Sequence, residues 1–377
     1  NSIYESCELS LVSISLKDSL DVNIIESSDF VSDICRLVDK KGTLLLVTSS
    51  GFTRRGTIKT LLDSLDKNRV VVFDKVTPNP EKAFIQKNYQ EFSDAGVTDV
   101  LAIGGGSVID TAKVFSAMLS FPKQSLEQLL TSDTLSCKVN LIAVPTTAGT
   151  GAEVTLFATV WDSVENKKFS LYGVKPTSAI LDPALTLTLP YSETLYPALD
   201  ALSHSLESVW NKNKTATSEH YALDAIDEIC EVLPIVLVEP NNAQARRRLQ
   251  YASTLAGLAI SINRTALAHA ISYPLTSKYA VPHGLACSFT LQAIVNVFGH
   301  RALDLNENTA DKVNRLLNDI DFDKELQQFV TWQEIQNLAS LNFDQSRTGN
   351  FIQPLNNELV SKILVKSQQM ATVVRHL

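Results

Sequence analysis

An α/β N-terminal domain with a parallel, Rossmann-like sheet, followed by an all-α C-terminal domain, is what three features of this 377-residue sequence predict. Short apolar runs alternate with amphipathic stretches in the first half, the spacing of βαβ units. Two glycine-containing loops directly follow such runs. Past Leu189-Pro190 the apolar residues recur every three or four positions, the period of packed helices.

In chain order, Leu44-Leu45-Leu46-Val47, Val70-Val71-Val72-Phe73 and Val100-Leu101-Ala102-Ile103 read as buried strands. Helix-like segments lie between them, around Thr57 to Leu65 and Glu81 to Ala95. A fourth run, Asn140 to Val144, stops at Pro145, and a polar, strand-rich stretch from Val154 to Leu181 precedes Asp182-Pro183. Thr217 to Val232 and Ala243 to Ile260 read as long helices. The change of character between Leu181 and Ser192 sets the expected domains at 1–186 and 187–377, and Thr348 to Gln353 separates late helices. No internal repeat or low-complexity tract interrupts this order.

Composition excludes several function classes. A 45% hydrophobic content supplies packed cores and rules out a disordered chain. With 33 Lys+Arg against 41 Asp+Glu, net −8, no global field attracts nucleic acid or an anionic membrane. The five cysteines are scattered with no C-x-x-C pair, as in a reduced, cytoplasmic protein. No apolar run approaches the ~18 to 20 residues that span a bilayer. The first residues lack a basic region followed by an apolar one, so a cytoplasmic setting is expected; Asn1 reads as a trimming remnant and not a native start.

Gly104-Gly105-Gly106-Ser107-Val108-Ile109-Asp110 follows a strand and opens a helix. Glycines let backbone N–H groups approach an anion, and a helix N-terminus adds partial positive charge, so a pyrophosphate fits there. A tight strand-to-helix turn capped by Ser107 is the competing reading. The motif is neither a P-loop nor G-x-G-x-x-G, because Ile109 stands where the third glycine belongs. Pro145-Thr146-Thr147-Ala148-Gly149-Thr150-Gly151 should sit on the same carboxyl edge of the sheet, where open α/β sheets bind ligands; alone it is equally a polar crossover loop.

In the second half, Asp200 and His204 are four residues apart, which on a helix puts both on one face. His269 and His283 could share an ion with them only if the chain turns back, because 14 residues of straight helix rise about 21 Å. Ser277 to Pro282 supplies that break. Three imidazoles and one carboxylate suit Fe²⁺ or Zn²⁺. Unconnected polar residues are the bland alternative, and it is the reading given to His220, His300 and His376.

Together, Gly104-Gly-Gly-Ser-x-x-Asp110-x-x-Lys113, Pro145-Thr-Thr-Ala-Gly-Thr-Gly-Ala-Glu153, Asp182-Pro-Ala-Leu-Thr186, Asp200-Ala-Leu-Ser-His204 and Pro282-His-Gly284 resemble the iron-containing (group III) alcohol dehydrogenases over nearly the whole chain. That resemblance implies a dehydroquinate synthase-like architecture with a cleft between two domains, and a homodimer. It implies Asp200, His204, His269 and His283 as metal ligands. It implies Gly104, Gly105, Gly106, Ser107, Asp110, Thr146, Thr147, Thr150, Lys168 and Leu185 as dinucleotide contacts.

The wording around Trp210-Asn211 and Arg264 to Leu275 is similar to the phosphonate-associated branch, reductases that turn phosphonoacetaldehyde into 2-hydroxyethylphosphonate. Such a substrate asks for cations near the metal, and Arg264 and Lys278 are the candidates; a solvated surface charge is the alternative for each. Two departures from the family pattern matter. Ser49 stands where many members carry an Asp that repels a 2′-phosphate; with Arg54 and Arg55 near, NADPH is expected over NADH, although Asp74 keeps NADH open. Tyr273 replaces a histidine thought to relay protons, and is expected to pack or to donate a hydrogen bond to the substrate.

The expected activity is therefore metal-dependent reduction of a small aldehyde by NAD(P)H. A dehydroquinate-synthase-like lyase is the rival of the same architecture, since it would cycle hydride with no net cofactor turnover.

Overall fold

The computed structural model describes residues 22–39, 41–132, 135–165 and 167–373. The first part is a parallel sheet clasped by helices: β1 (Asn23–Glu26), α1 (Phe30–Leu37), β2 (Thr43–Val47), α2 (Ser50–Arg54), α3 (Thr57–Ser64), β3 (Val70–Phe73), α4 (Lys82–Tyr89), β4 (Val97–Gly104), α5 (Gly106–Ser120), α6 (Leu126–Leu130) and β5 (Asn140–Pro145). An antiparallel pair, β6 (Phe157–Asp162) and β7 (Lys167–Tyr172), and then β8 (Ser178–Leu181) complete it.

The six parallel strands run in the order β1-β8-β5-β4-β2-β3. Both faces are apolar: Leu45, Val100 and Leu141 join one core cluster while Leu44, Leu101 and Ile142 join another. This is why the strands read as unbroken hydrophobic runs. From β2 the chain crosses to β3, and from β4 it crosses the opposite way to β5. Adjacent strands with opposite exits leave a crevice at their carboxyl ends.

The remainder is helical: α7 (Tyr191–Val209), α8 (Ala216–Val238), α9 (Ala243–Asn263), α10 (Leu267–Tyr279), α11 (His283–Ser288), α12 (Leu291–Phe298), α13 (Glu307–Asn318), α14 (Phe322–Leu326), α15 (Trp332–Gln336), α16 (Gln345–Thr348) and α17 (Asn357–Ala371). Their apolar faces build one continuous core around Leu202, Trp210, Ile226 and Leu255. No helix among the described residues is long and apolar enough to cross a membrane. Cys35, Cys137, Cys230 and Cys287 are free thiols; Cys7, like His376, lies outside the described residues.

Two expectations need correction. The helix foreseen over Glu81 to Ala95 stops at Tyr89, after which Glu91 and Phe92 donate to carbonyls three residues back in a tightened turn. The sheet also gains β1, a short edge strand with half-buried Ile24 and Ile25 between exposed ends.

The two halves meet backbone to backbone. Gly151 has φ +64°, and a Cβ there would lie 2.4 Å from the Cα of Gly257 on α9. Lys113, fully buried on α5, donates to Thr155 O, Thr155 Oγ1 and Phe157 O at 2.8–2.9 Å. All three of its N–H bonds are satisfied, and burial lowers its pKa to about 8.

Candidate active site

Three helices bring the predicted ligand set together. Asp200 and His204 occupy one face of α7 near its middle. His269 lies in the first turn of α10. That helix ends at Ala280, whose φ of 55° reverses the chain, and Pro282 then caps α11 so that His283 is its first residue. The His269 ring consequently stands 5.2 Å from that of His283 and stacks on His204 at 4.9 Å.

Asp200 Oδ1 lies 3.6 Å from His204 Nε2, 3.4 Å from His269 Nε2 and 3.8 Å from His283 Nε2. Ligand atoms around a tetrahedral ion with bonds of about 2.1 Å sit roughly 3.4 Å apart. Asp200, His269, His283 and the Cys287 thiol offer ligand atoms within 4.8 Å of one another, a spacing that suits one first-row divalent ion, and His204 Nε2 adjoins this group through Asp200. His269 Nε2 is also buried without a hydrogen-bond partner, a costly state for an imidazole nitrogen that a metal relieves.

Glu207, one turn beyond His204 and fully buried, went unnoticed in the sequence. Its carboxylate accepts the Ala266, Ala268 and His269 backbone N–H groups at 2.8, 2.5 and 3.2 Å, closing the N-terminus of α10, and contacts His269 Nδ1 at 2.7 Å. It thereby fixes the ring so that Nε2 faces Asp200. Glu207→Gln is expected to weaken metal binding by about 10- to 100-fold, read by competition with a chromophoric chelator; an unchanged affinity would remove Glu207 from the site.

Burial disfavours charge on His204 and His283, lowering them to about 4 and about 3, so both are neutral near pH 7. Burial by itself would raise the Asp200 carboxyl, but the imidazoles of His204, His283 and His269 reverse this and hold it well below its ordinary value. For His269, burial opposes the cation, yet Glu207 prevails and holds it well above 6.5. Cys287, a neutral thiol pushed up to about 12 by burial, donates to Asp200 Oδ1 at 3.3 Å; the sequence reading missed this residue too.

These ligands form one wall of a cleft of about 1200 Å³, and the carboxyl edge of the sheet forms the other. Gly105, Gly106, Ser107 and Asp110 line it from the loop after β4, Thr146, Thr147 and Thr150 from the loop after β5, and Ser49 from the loop after β2. The two glycine-containing loops abut: a Cβ on Gly106 would meet Thr150 Oγ1 at 2.8 Å, and one on Gly105 would meet Thr147 Oγ1 at 3.4 Å. Asp110 accepts the Thr159 N–H at 2.9 Å, and its carboxyl is raised by burial. Lys168 and Leu185 also face the cleft, and Lys168 stands over the Trp161 ring at 5.4 Å.

Several candidates lie elsewhere. Gly104 does not face the cleft; it gives room to Val108, which a Cβ would strike at 2.5 Å. Tyr273 is not part of the lining and stacks on Trp161 at 5.9 Å. Arg264 does line it, its guanidinium 4.8 Å from the Tyr172 ring centre. Lys278 does not: it is exposed, beside its neighbour Tyr279. Nine residues along a helix make about two and a half turns, so α10 points Lys278 away from His269. Arg55 lines the cleft, whereas Arg54 and Asp74 do not.

Residues 22–183 match the family model described as iron-containing alcohol dehydrogenase, and residues 194–368 match that of the C-terminal region of the Fe-containing alcohol dehydrogenase family. The chain is 36% identical over 258 residues to phosphonoacetaldehyde reductase of Streptomyces viridochromogenes, covering 65% of this chain and 64% of that protein. To NAD-dependent methanol dehydrogenase of Bacillus methanolicus it is 31% identical over 251 residues, 64% of this chain and 66% of that one. It thus spans just under two thirds of either relative. An iron-containing alcohol dehydrogenase structure from Thermotoga maritima superposes with a TM-score of 0.78 at 26% identity, covering 94% of this chain and 99% of that one.

Proposed function

The chain belongs to the iron-containing alcohol dehydrogenase family, and from that premise we propose that it is a metal-dependent, NAD(P)H-linked reductase of small aldehydes that converts phosphonoacetaldehyde to 2-hydroxyethylphosphonate. One observation carries this reading: the three-histidine, one-aspartate cluster and the paired glycine-containing loops line the same cleft. The similarity to a phosphonoacetaldehyde reductase supports the substrate.

When bound, a divalent ion acts as a Lewis acid toward a carbonyl and a reduced nicotinamide supplies hydride. The chain's own part is placement. Asp200, His204, His269 and His283 hold the ion, with Glu207 fixing one ring. Backbone N–H groups around Gly105 and Gly106, at the start of α5, receive the dinucleotide's phosphates. Trp161, Leu185 and Pro282 wall the cleft and limit water at the reacting carbon. Tyr273, packed on Trp161, is assigned a supporting role, and solvent or the cofactor's ribose hydroxyls deliver the proton.

NADPH is the proposed cofactor. Ser49 brings no carboxylate to repel a 2′-phosphate, and Arg55 is exposed at the same rim. Iron or zinc, a homodimer and a cytoplasmic setting complete the reading; the free thiols fit a reducing compartment. The test is reduced-nicotinamide absorbance with metal-loaded protein, NADPH and NADH in parallel, offering phosphonoacetaldehyde and short unsubstituted aldehydes. Net oxidation of NADPH, fastest with phosphonoacetaldehyde, is expected; no net oxidation with any aldehyde would sink the proposal and favour a lyase. Ser49→Asp should move the NADPH/NADH ratio of kcat/KM toward NADH by about 30-fold or more, the effect of ~2 kcal/mol of charge repulsion.

A further inference from the structure

Resting on the aldehyde-reductase reading, we propose that Arg347 is the specificity-determining residue of this cleft, binding the anionic end of a short aldehyde that carries a tetrahedral oxyanion. Arg347 lies on α16, in a stretch with no motif to mark it, and lines the cleft with its side chain only 19% exposed.

Its position is built in. Asn350 Nδ2 donates to Thr265 O at 2.9 Å, the Lys212 N–H donates to Asn350 O at 2.8 Å, and the Ile352 N–H donates to Trp210 O at 3.1 Å. These bonds tie the α16 segment to the end of α7 and to the turn before α10. The same turn supplies the Ala266 N–H that Glu207 binds, so Arg347 is referenced to the backbone that places His269.

Arg347 has no close carboxylate partner among the described residues. Its ion-pair partner is Asp344, a rim carboxylate at 3.8 Å, too long for a hydrogen bond. The other Lys and Arg residues of the lining are Arg55, Lys168 and Arg264. Lys168 is lowered to about 8, first by burial and next by the Arg347 charge itself, so the two cations feel each other. Arg347 and Lys168 line the same cleft as Asp200, His204, His269 and His283.

The dinucleotide's phosphates have their own donors at Gly105 to Ser107 and the start of α5, across the cleft. What remains is the Arg347 guanidinium, whose carboxylate contact is a long one at the rim. A phosphonate or sulfonate suits it, since an arginine fork can bind two oxygens of such a group at once. An uncharged aldehyde would leave the Arg347 fork without an oxyanion to bind.

The experiment compares kcat/KM for phosphonoacetaldehyde, sulfoacetaldehyde and propanal in the wild-type protein, Arg347→Gln and Arg347→Lys, each loaded with metal and NADPH. The wild type should prefer an anionic aldehyde, and Arg347→Gln should cut the anionic-to-neutral ratio by about 100-fold, mainly through KM. Arg347→Lys should restore part of it, since a point charge lacks the fork. Whichever anionic aldehyde has the lower KM names the oxyanion. A ratio unmoved by Arg347→Gln, with all aldehydes losing equally, would reduce Arg347 to a structural role and overturn the inference. If the wild type reduced no aldehyde, the reductase reading would fail separately. Calorimetric binding of methylphosphonate to the wild type but not to Arg347→Gln would still uphold the site, and binding equal in both would overturn it.

Discussion

His269→Ala should abolish metal retention and turnover together. The variant loses the ring that stands between Asp200 and Glu207, with Nε2 3.4 Å from one carboxylate and Nδ1 2.7 Å from the other. Lewis-acid stabilisation amounts to several kcal/mol, and each ~1.4 kcal/mol is tenfold in rate, so kcat/KM is expected to fall by at least about 10³-fold. Metal content after dialysis should drop from one ion per chain to none. Because Glu207 would then keep a buried carboxylate without its imidazole, some loss of stability is also expected. His283→Ala is the companion variant: its side chain is 34% exposed at the cleft edge, so its removal disturbs packing least. A metal-free protein of either kind with full activity would refute the ligand assignment.

Gly284→Ala should be nearly as damaging, although glycine to alanine inside a helix ordinarily stabilises. A Cβ at residue 284 would lie 1.8 Å from the Tyr196 carbonyl oxygen on α7 and 3.3 Å from Asp200 Cβ. The obstacle is backbone, so α11 must move away from α7 and carry His283 with it. Overpacking of this kind costs about 1–3 kcal/mol, visible as a lower melting temperature. Displacing a ligand by about 1 Å costs on the order of 10²-fold in rate. Crystallography or metal titration of the variant should find His283 displaced and affinity weakened. Wild-type affinity and melting temperature would mean that α7 and α11 are not packed this closely.

What the sequence revealed about this site follows from how local each signal is. Asp200 and His204 share one helix turn, so their common face was legible from spacing alone. The two glycine-containing loops were legible because each directly follows an apolar run, and both strands proved to be neighbours in the sheet. Glu207 was not legible: its partners Ala266, Ala268 and His269 lie 59 to 62 residues away, and a glutamate in a helix carries no motif. Lys278 misled for the opposite reason. It is near His269 in sequence, yet helix geometry turns it to the far side. Arg347 is held at the cleft by tertiary bonds from Asn350 and Ile352, which no local pattern encodes. Likewise β1 joins the sheet by pairing with β8, about 150 residues later, and shows no apolar run of its own.

The most direct test of the account is X-ray absorption at the metal edge of protein loaded with zinc or cobalt, with the bound ion counted in the same sample. One ion per chain, surrounded by three imidazole nitrogens and a carboxylate oxygen at about 2.0–2.2 Å, is the expected result. Fewer than three imidazoles, or no stoichiometric ion at all, would contradict it.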